Sequence, residues 1–172
     1  ARRLQDPLAE LVKLEPRHVG VGQYQHDINQ KQLREGLTKT VESCVNRVGV
    51  DLNTASVELL RYISGIQQNT AQNIVKHREA NGAFQSRAQL KEISGVGEKT
   101  FEQSAGFLRI QNGVEPLDQT SIHPEAYGVV EAMASALSVK SADLIRNSEL
   151  LNKLDLNTFV GDTIGKLALT DI

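Results

Sequence analysis

Tryptophan is absent from this chain of 172 residues, and the aromatic set is only three tyrosines and four phenylalanines. Any core must therefore be aliphatic, which suits small helical packing better than a β-sandwich. The single cysteine, Cys44, excludes an intramolecular disulfide framework and a multi-cysteine zinc site. Its setting between Val41 and Val45 reads as a small core residue. No apolar run approaches the length needed to cross a bilayer, and no signal-peptide pattern opens the chain, so no membrane is expected as a partner. Strong charge is also missing. The formal net charge is −2. It divides unevenly, with 15 Lys/Arg against 12 Asp/Glu in residues 1–112, and 4 against 9 in residues 113–172. A phosphate-binding face fits the first part better than the second. Such a small excess does not support tight nucleic-acid binding by bulk charge alone.

What is present is helical periodicity cut by glycine. In residues 1–13 an apolar stripe of Leu4, Leu8, Leu11 and Val12 follows a helix start near Asp6–Pro7. Residues 17–27 read as a short extended or irregular connection. From Ile28 to Asn46 apolar positions recur about every four, as in one long amphipathic helix ended by Gly49. Then come four shorter helices. The first follows the N-cap types Asn53, Thr54 and Ser56. The second runs through Ile74 to Asn81-Gly82. The third opens on the capping box Ser86-Arg-Ala-Gln89. The fourth passes Phe101, Ala105 and Leu108. Beyond Asn112-Gly113, His123-Pro124-Glu125 starts another helix, with shorter pieces over 141–153. The terminal LNTFVGDTIGKLALTDI holds two more glycines before a helix start. The first residue, Ala1, and the apolar last residues read as cuts through a longer polypeptide. The expected fold class is all-α.

One feature is written twice. Ile63-Ser64-Gly65-Ile66-Gln67 and Ile93-Ser94-Gly95-Val96-Gly97 stand thirty positions apart, and Leu60, Arg61 and Thr70 align with Leu90, Lys91 and Thr100. Each copy reads as helix, glycine turn, helix, and neither could bury its apolar stripe alone. A Gly-aliphatic-Gly turn feeding a helix aims free N–H groups outward at the positive end of the helix dipole, a setting suited to a phosphate oxygen. Val96 would plug the turn into the core. Lys99, in the first helical turn, is poorly placed for dipole stability unless an external anion offsets it. The expected contact residues are Gly95, Val96, Gly97, Lys99 and Thr100, then Gly65, Ile66, Asn69 and Thr70. The two threonines would offer hydroxyls to phosphate, and Arg87, Lys91 and Arg109 would add charge. Gln67 stands where the motif has its second glycine. It either donates its own hydrogen bond or marks a purely structural copy.

This pattern resembles the helix-hairpin-helix motif, hydrophobic-Gly-hydrophobic-Gly. The flanks narrow it. VGVDLNTAS, FQSRAQLKEISGVGEKTFEQSAGFLRI, QTSIHPEAY and ARRLQDPLAELVK followed by GVGQYQHDINQ resemble the bacterial Tex transcription accessory proteins over essentially the whole chain. That resemblance implies the tail of a ribonuclease H-like domain in residues 1–27, a connecting helix in 28–48 and a tandem helix-hairpin-helix domain in 49–112. It further implies a second helical hairpin-type module in 113–172, cut before an OB-fold. The same core architecture is shared with a eukaryotic elongation factor that chaperones histones. It implies sequence-independent binding of a DNA or RNA backbone during transcription, in the cytoplasm, with the transcription machinery as a further partner and no catalysis by this part. The alternative is a protein-interaction scaffold that spaces neighbouring domains. No cofactor or metal site is expected.

Other constellations read as structural. His26 and Asp27 are adjacent in an extended stretch and point to opposite faces. Asp6 suits a helix start better than a metal site, which needs several converging carboxylates. Lys76-His77-Arg78-Glu79 reads as a solvated helix face.

Overall fold

The structure, a computed structural model, describes residue 4, residues 6–159 and residue 169. The glycines expected before a terminal helix start, Gly161 and Gly165, lie outside the described residues. Among those described, the elements are overwhelmingly helical. Helix α1 (Pro7–Leu11) is capped by Asp6, whose Oδ1 accepts from the Ala9 N–H at 3.0 Å. A 3₁₀ turn at Pro16–His18 leads to the long helix α2 (Gln30–Val48), capped by Asn29 and stopped at Gly49. Helix α3 (Val57–Leu60) starts on Ser56. Helix α4 (Gln68–Asn81), a 3₁₀ helix at Arg87–Glu92 and helix α5 (Glu98–Ser104) complete the repeated region. Then come 3₁₀ turns at Pro116–Gln119 and Pro124–Ala126, helix α6 (Tyr127–Ala136) and the short helices α7 (Ser141–Leu144) and α8 (Ser148–Leu151). No helix among the described residues is long and apolar enough to cross a membrane.

The all-α expectation holds, with one small departure. The fourth helix of the repeated region stops at Ser104, and Leu108 lies in a strand instead. Strands β1 (Val50–Asp51) and β2 (Leu108–Arg109) pair in parallel, Val50 opposite Leu108. The Leu52 N–H then donates to the Arg109 carbonyl at 2.8 Å. This clasp joins the two ends of the repeated region, so both hairpins close over one core. The capping box expected at Ser86 is present, but it opens 3₁₀ rather than α geometry.

Two aliphatic clusters form. The first holds Val45, Leu52, Leu60, Ile74, Leu90 and Leu108, all at or near zero exposure, and draws on both hairpins and the end of α2. The second holds Leu117, Val130, Met133, Ala134, Leu144 and Leu169. Each such Val, Leu, Ile or Met side chain contributes about 1.5–3 kcal/mol by burial. Cys44 does not belong to either: it is exposed, because Val41 and Val45 take the inner face of α2 and leave the intervening position outward.

Polar ties set the hairpins against their surroundings. The Asn46 amide on α2 donates to the Tyr62 carbonyl at 3.1 Å and accepts from the Ser64 N–H at 3.2 Å, gripping the first turn. Asn53 exchanges two hydrogen bonds with the Phe84 backbone. Arg78 donates to the carbonyls of Leu52 and Ala55, and His77 stacks on Phe84. The segment expected as a solvated face is therefore split. Lys76 and Glu79 are exposed, while His77 and Arg78 hold the first hairpin to its lead-in.

A buried polar cluster joins the repeated region to the C-terminal one. Arg87 is 1% exposed. Its Nη1 donates to the Ile122 carbonyl at 2.6 Å and the Tyr127 hydroxyl at 2.9 Å, and its Nη2 to the Thr120 carbonyl. The Asp118 carboxylate accepts from the Arg87 N–H at 2.8 Å and from the Tyr127 hydroxyl at 2.6 Å. Burial, chiefly, and then the bond to Asp118 push the Tyr127 phenol above its ordinary value. An unfolded Tyr127 would lose its proton first as pH rises. Its contribution is thus complete below about pH 10 and lost above it. The stability difference between the wild type and Tyr127→Phe should shrink as pH climbs past 10, measured by urea unfolding at each pH. A constant difference would remove the assignment.

Candidate nucleic-acid interface

The two hairpin turns have the same backbone. Gly65 and Gly95 lie in the left-handed region, at φ 81° and 93°. The Ile66 N–H donates to the Ile63 carbonyl and the Val96 N–H to the Ile93 carbonyl, each at 3.0 Å. Ile66 and Val96 are both buried, plugging their turns into the core. The next residues, Gln67 (φ −89°, ψ 167°) and Gly97 (φ −83°, ψ 178°), match closely. Substituting Gln for the second glycine therefore leaves the turn undistorted. That position is extended backbone open to any residue, and a Cβ at Gly97 would meet nothing within 4 Å. The fold does not demand glycine there.

Each turn packs on the other hairpin's second helix. A Cβ on Gly65 would lie 2.9 Å from the Gln103 Cβ and 3.3 Å from the Thr100 carbonyl oxygen of α5. A Cβ on Gly95 would lie 3.1 Å from the Thr70 Oγ1 of α4. The Asn73 amide donates to the Ser94 carbonyl at 2.9 Å, and Gln103 holds the equivalent place thirty residues on. The hairpins are thus related by an approximate dyad that sets both turns and both helix starts side by side. Gly65→Ala should cost about 2 kcal/mol, from left-handed strain plus the Gln103 overlap, while Gly97→Ala should cost almost nothing. Chemical denaturation of the two variants would check this, and equal losses would contradict the geometry.

The helix starts differ in their caps. Within the repeated region, the first helix of each hairpin is capped by side chains: Ser56 on α3, and Ser86 with Gln89 on the 3₁₀ helix. The second helices, α4 and α5, have no side-chain cap. Their first ladder bonds run from the Ala71 N–H to the Gln67 carbonyl and from the Phe101 N–H to the Gly97 carbonyl, both 2.9 Å. The N–H groups of residues 67–70 and 97–100 precede those bonds and lie outside the ladder. Around these ends Asn69, Gly97 and Lys99 are exposed. Lys91 reaches Glu98 at 3.5 Å and lies 4.7 Å over the Phe101 ring. Arg61, its counterpart, lies 5.3 Å over the Tyr62 ring. The repeat aligns Arg61 with Lys91, the sequence signal for a residue absent from the expected site.

Three expected residues are placed elsewhere. Thr70 is 7% exposed and packs on the Gly95 turn, so its hydroxyl faces the other hairpin rather than outward. Arg87 is consumed in the Asp118–Tyr127 cluster, where burial, first of all, lowers its pKa against the opposing pull of Tyr127 and Asp118. Arg109 is half-buried beneath Gly49, its Nη1 donating to the Gly106 carbonyl at 2.6 Å. Burial and then the Arg87 charge lower its pKa to about 10. Thr100 is half-buried, and Gly65, Gly95, Asn69 and Lys99 are exposed. His26 and Asp27 are exposed, and no cluster of metal-binding side chains forms among the described residues.

Two family models match. Residues 45–109 match the helix-hairpin-helix motif, and residues 115–172 match a helix-hairpin-helix (HHH) domain. Among curated proteins the chain is 54% identical, over its full length, to the transcriptional accessory protein Tex of Neisseria gonorrhoeae, and covers 23% of it. It is 54% identical over its full length to protein YhgF of Escherichia coli K12, covering 22%. Over 80% of its length it is 41% identical to a human S1 RNA-binding domain-containing protein, of which it covers 19%. The chain therefore spans less than a quarter of the length of these relatives.

Proposed function

We propose that this chain, which belongs to the Tex family of transcription accessory proteins, grips a nucleic-acid backbone without regard to sequence. One observation carries the reading: two helix starts without side-chain caps, related by the thirty-residue repeat, lie side by side behind matching glycine turns. Unladdered N–H groups there complement phosphate oxygens and cannot tell one base from another. With two turns, one is available to each of two neighbouring backbones. Lys99 and Lys91 add charge on the second hairpin, and Arg61 on the first. The names of the relatives fit the reading, since one is a transcriptional accessory protein and another carries an RNA-binding domain. In this arrangement residues 49–112 are the gripping unit, and 113–172 a second helical module.

The test is a salt titration by fluorescence anisotropy with single-stranded and double-stranded DNA and RNA. The expected result is binding at low salt whose logarithm falls linearly with log salt, with the same slope for unrelated sequences of one strandedness. Absence of binding at low salt would favour the scaffold reading instead.

A further inference from the structure

A second basic feature lies away from the hairpin turns. Between the end of α2, strand β2 and the C-terminal helices is a cleft of about 520 Å³. Three arginines line it: Arg47, Arg109 and Arg146. No carboxylate lines it among the described residues. Arg47 and Arg146 are exposed and, among the described residues, make no ion pair or side-chain hydrogen bond. Gln111, Ser121 and Ser141 supply neutral donors on the same walls, over an aliphatic floor that includes Met133 and Leu144.

Two backbone features bear on how the arginines are held. Gly49, at φ 77°, lets the Arg109 guanidinium lie against the chain, where a Cβ would stand 2.8 Å from its Cζ. Arg146 itself sits at φ 61°, in the turn after α7, where glycine or asparagine would be less strained. A strained, long cation at the mouth of a cleft without a counter-charge is a reason to look for an anion.

We propose that this cleft binds a phosphate group of a nucleic-acid strand, as a second contact beyond the hairpin turns. Planar guanidinium forks match phosphate oxygens, and the volume admits about one nucleotide. No aromatic ring lines the cleft among the described residues, so no aromatic stacking contributes and the contact is led by phosphate. Single strands fit best, because a phosphate on a flexible strand reaches into the cleft more readily than one held in a duplex. This extends the nucleic-acid reading above and rests on it.

The experiment uses this chain and a fluorescein-labelled oligothymidylate, with Arg47→Ala plus Arg146→Gly as the variant. The expected result is affinity about tenfold weaker and a log–log salt slope smaller by about 0.7, the share of one single-strand phosphate. The melting temperature should stay level or rise, since glycine relieves the turn. Unchanged affinity and slope in a folded variant would overturn the proposal. A hairpin variant, Gly97→Ala plus Lys99→Glu, separates the two readings. If only it weakens binding, the cleft proposal fails alone. If only the arginine variant does, the hairpin reading fails and the cleft stands. No binding by the wild type removes both. Two competitors identify the source of the anion. Displacement of the oligonucleotide by inorganic phosphate at equal potency, or arginine-dependent binding of a phosphoserine peptide but not of oligothymidylate, would also overturn it.

Discussion

Replacing Arg87 with alanine is expected to cost about 3–5 kcal/mol, most of what holds the C-terminal region to the hairpins. The side chain satisfies two backbone carbonyls and the Tyr127 hydroxyl, and faces Asp118 at 3.7 Å. Asp118 is 1% exposed. Truncation would leave its charge buried with only the Tyr127 phenol and the residue-87 backbone N–H for company, and would strand the carbonyls of Thr120 and Ile122. Lysine should rescue little, because one ammonium cannot reproduce the fork. Urea unfolding gives the magnitude. Limited proteolysis should show residues beyond 113 cut first. The full apolar replacement Arg87→Met with Asp118→Leu and Tyr127→Phe should recover much of the loss, since burying no charge avoids the desolvation cost. A loss below about 1 kcal/mol for Arg87→Ala would mean that the cluster is solvated and the junction loose.

How far this molecule could be read from its sequence follows the range of each interaction. The hairpin turns were legible because their chemistry is local: a left-handed glycine, an aliphatic plug and a helix start within five residues. The long helix was legible for the same reason, with Gly49 ending it one turn beyond Val45. Thr70 was misplaced because its burial depends on the dyad, which sets it on a turn twenty-five positions away. Arg87 was misplaced too, although a signal existed. The repeat aligns it with Val57, a partly buried core residue. A cation at a position where the first copy packs an aliphatic is either a flaw or a junction, and its partners Asp118 and Tyr127 lie too far along the chain for spacing to reveal. Leu108 left the expected helix for a strand because its partner, Val50, sits at the other end of the unit.

Exchanging glycine and side chain between the two copies should move binding in opposite directions while barely touching the fold. Gly97→Ala with Lys99→Glu is expected to weaken nucleic-acid binding more than tenfold, evenly across sequences, and to lower the duplex salt slope by about 1, the share of a single phosphate. The added methyl stands in open space at φ −83°, and Lys99 is exposed, so the melting temperature should hold within a degree or two. That separation is what makes the test sharp: both positions tolerate the change structurally, so weaker affinity reports lost contact at this turn, by blocked approach and reversed charge together, rather than unfolding. Gln67→Gly is the converse. If the Gln67 side chain merely shields its N–H groups, glycine should tighten binding several-fold, at a cost of about 0.5–1 kcal/mol from the freer unfolded chain. If Gln67 donates to phosphate itself, glycine should weaken binding instead. Should neither exchange alter affinity in chains that melt normally, the turns are packing devices and the uncapped helix starts serve no ligand. The backbone identity of the two turns implies that approach, rather than architecture, distinguishes them.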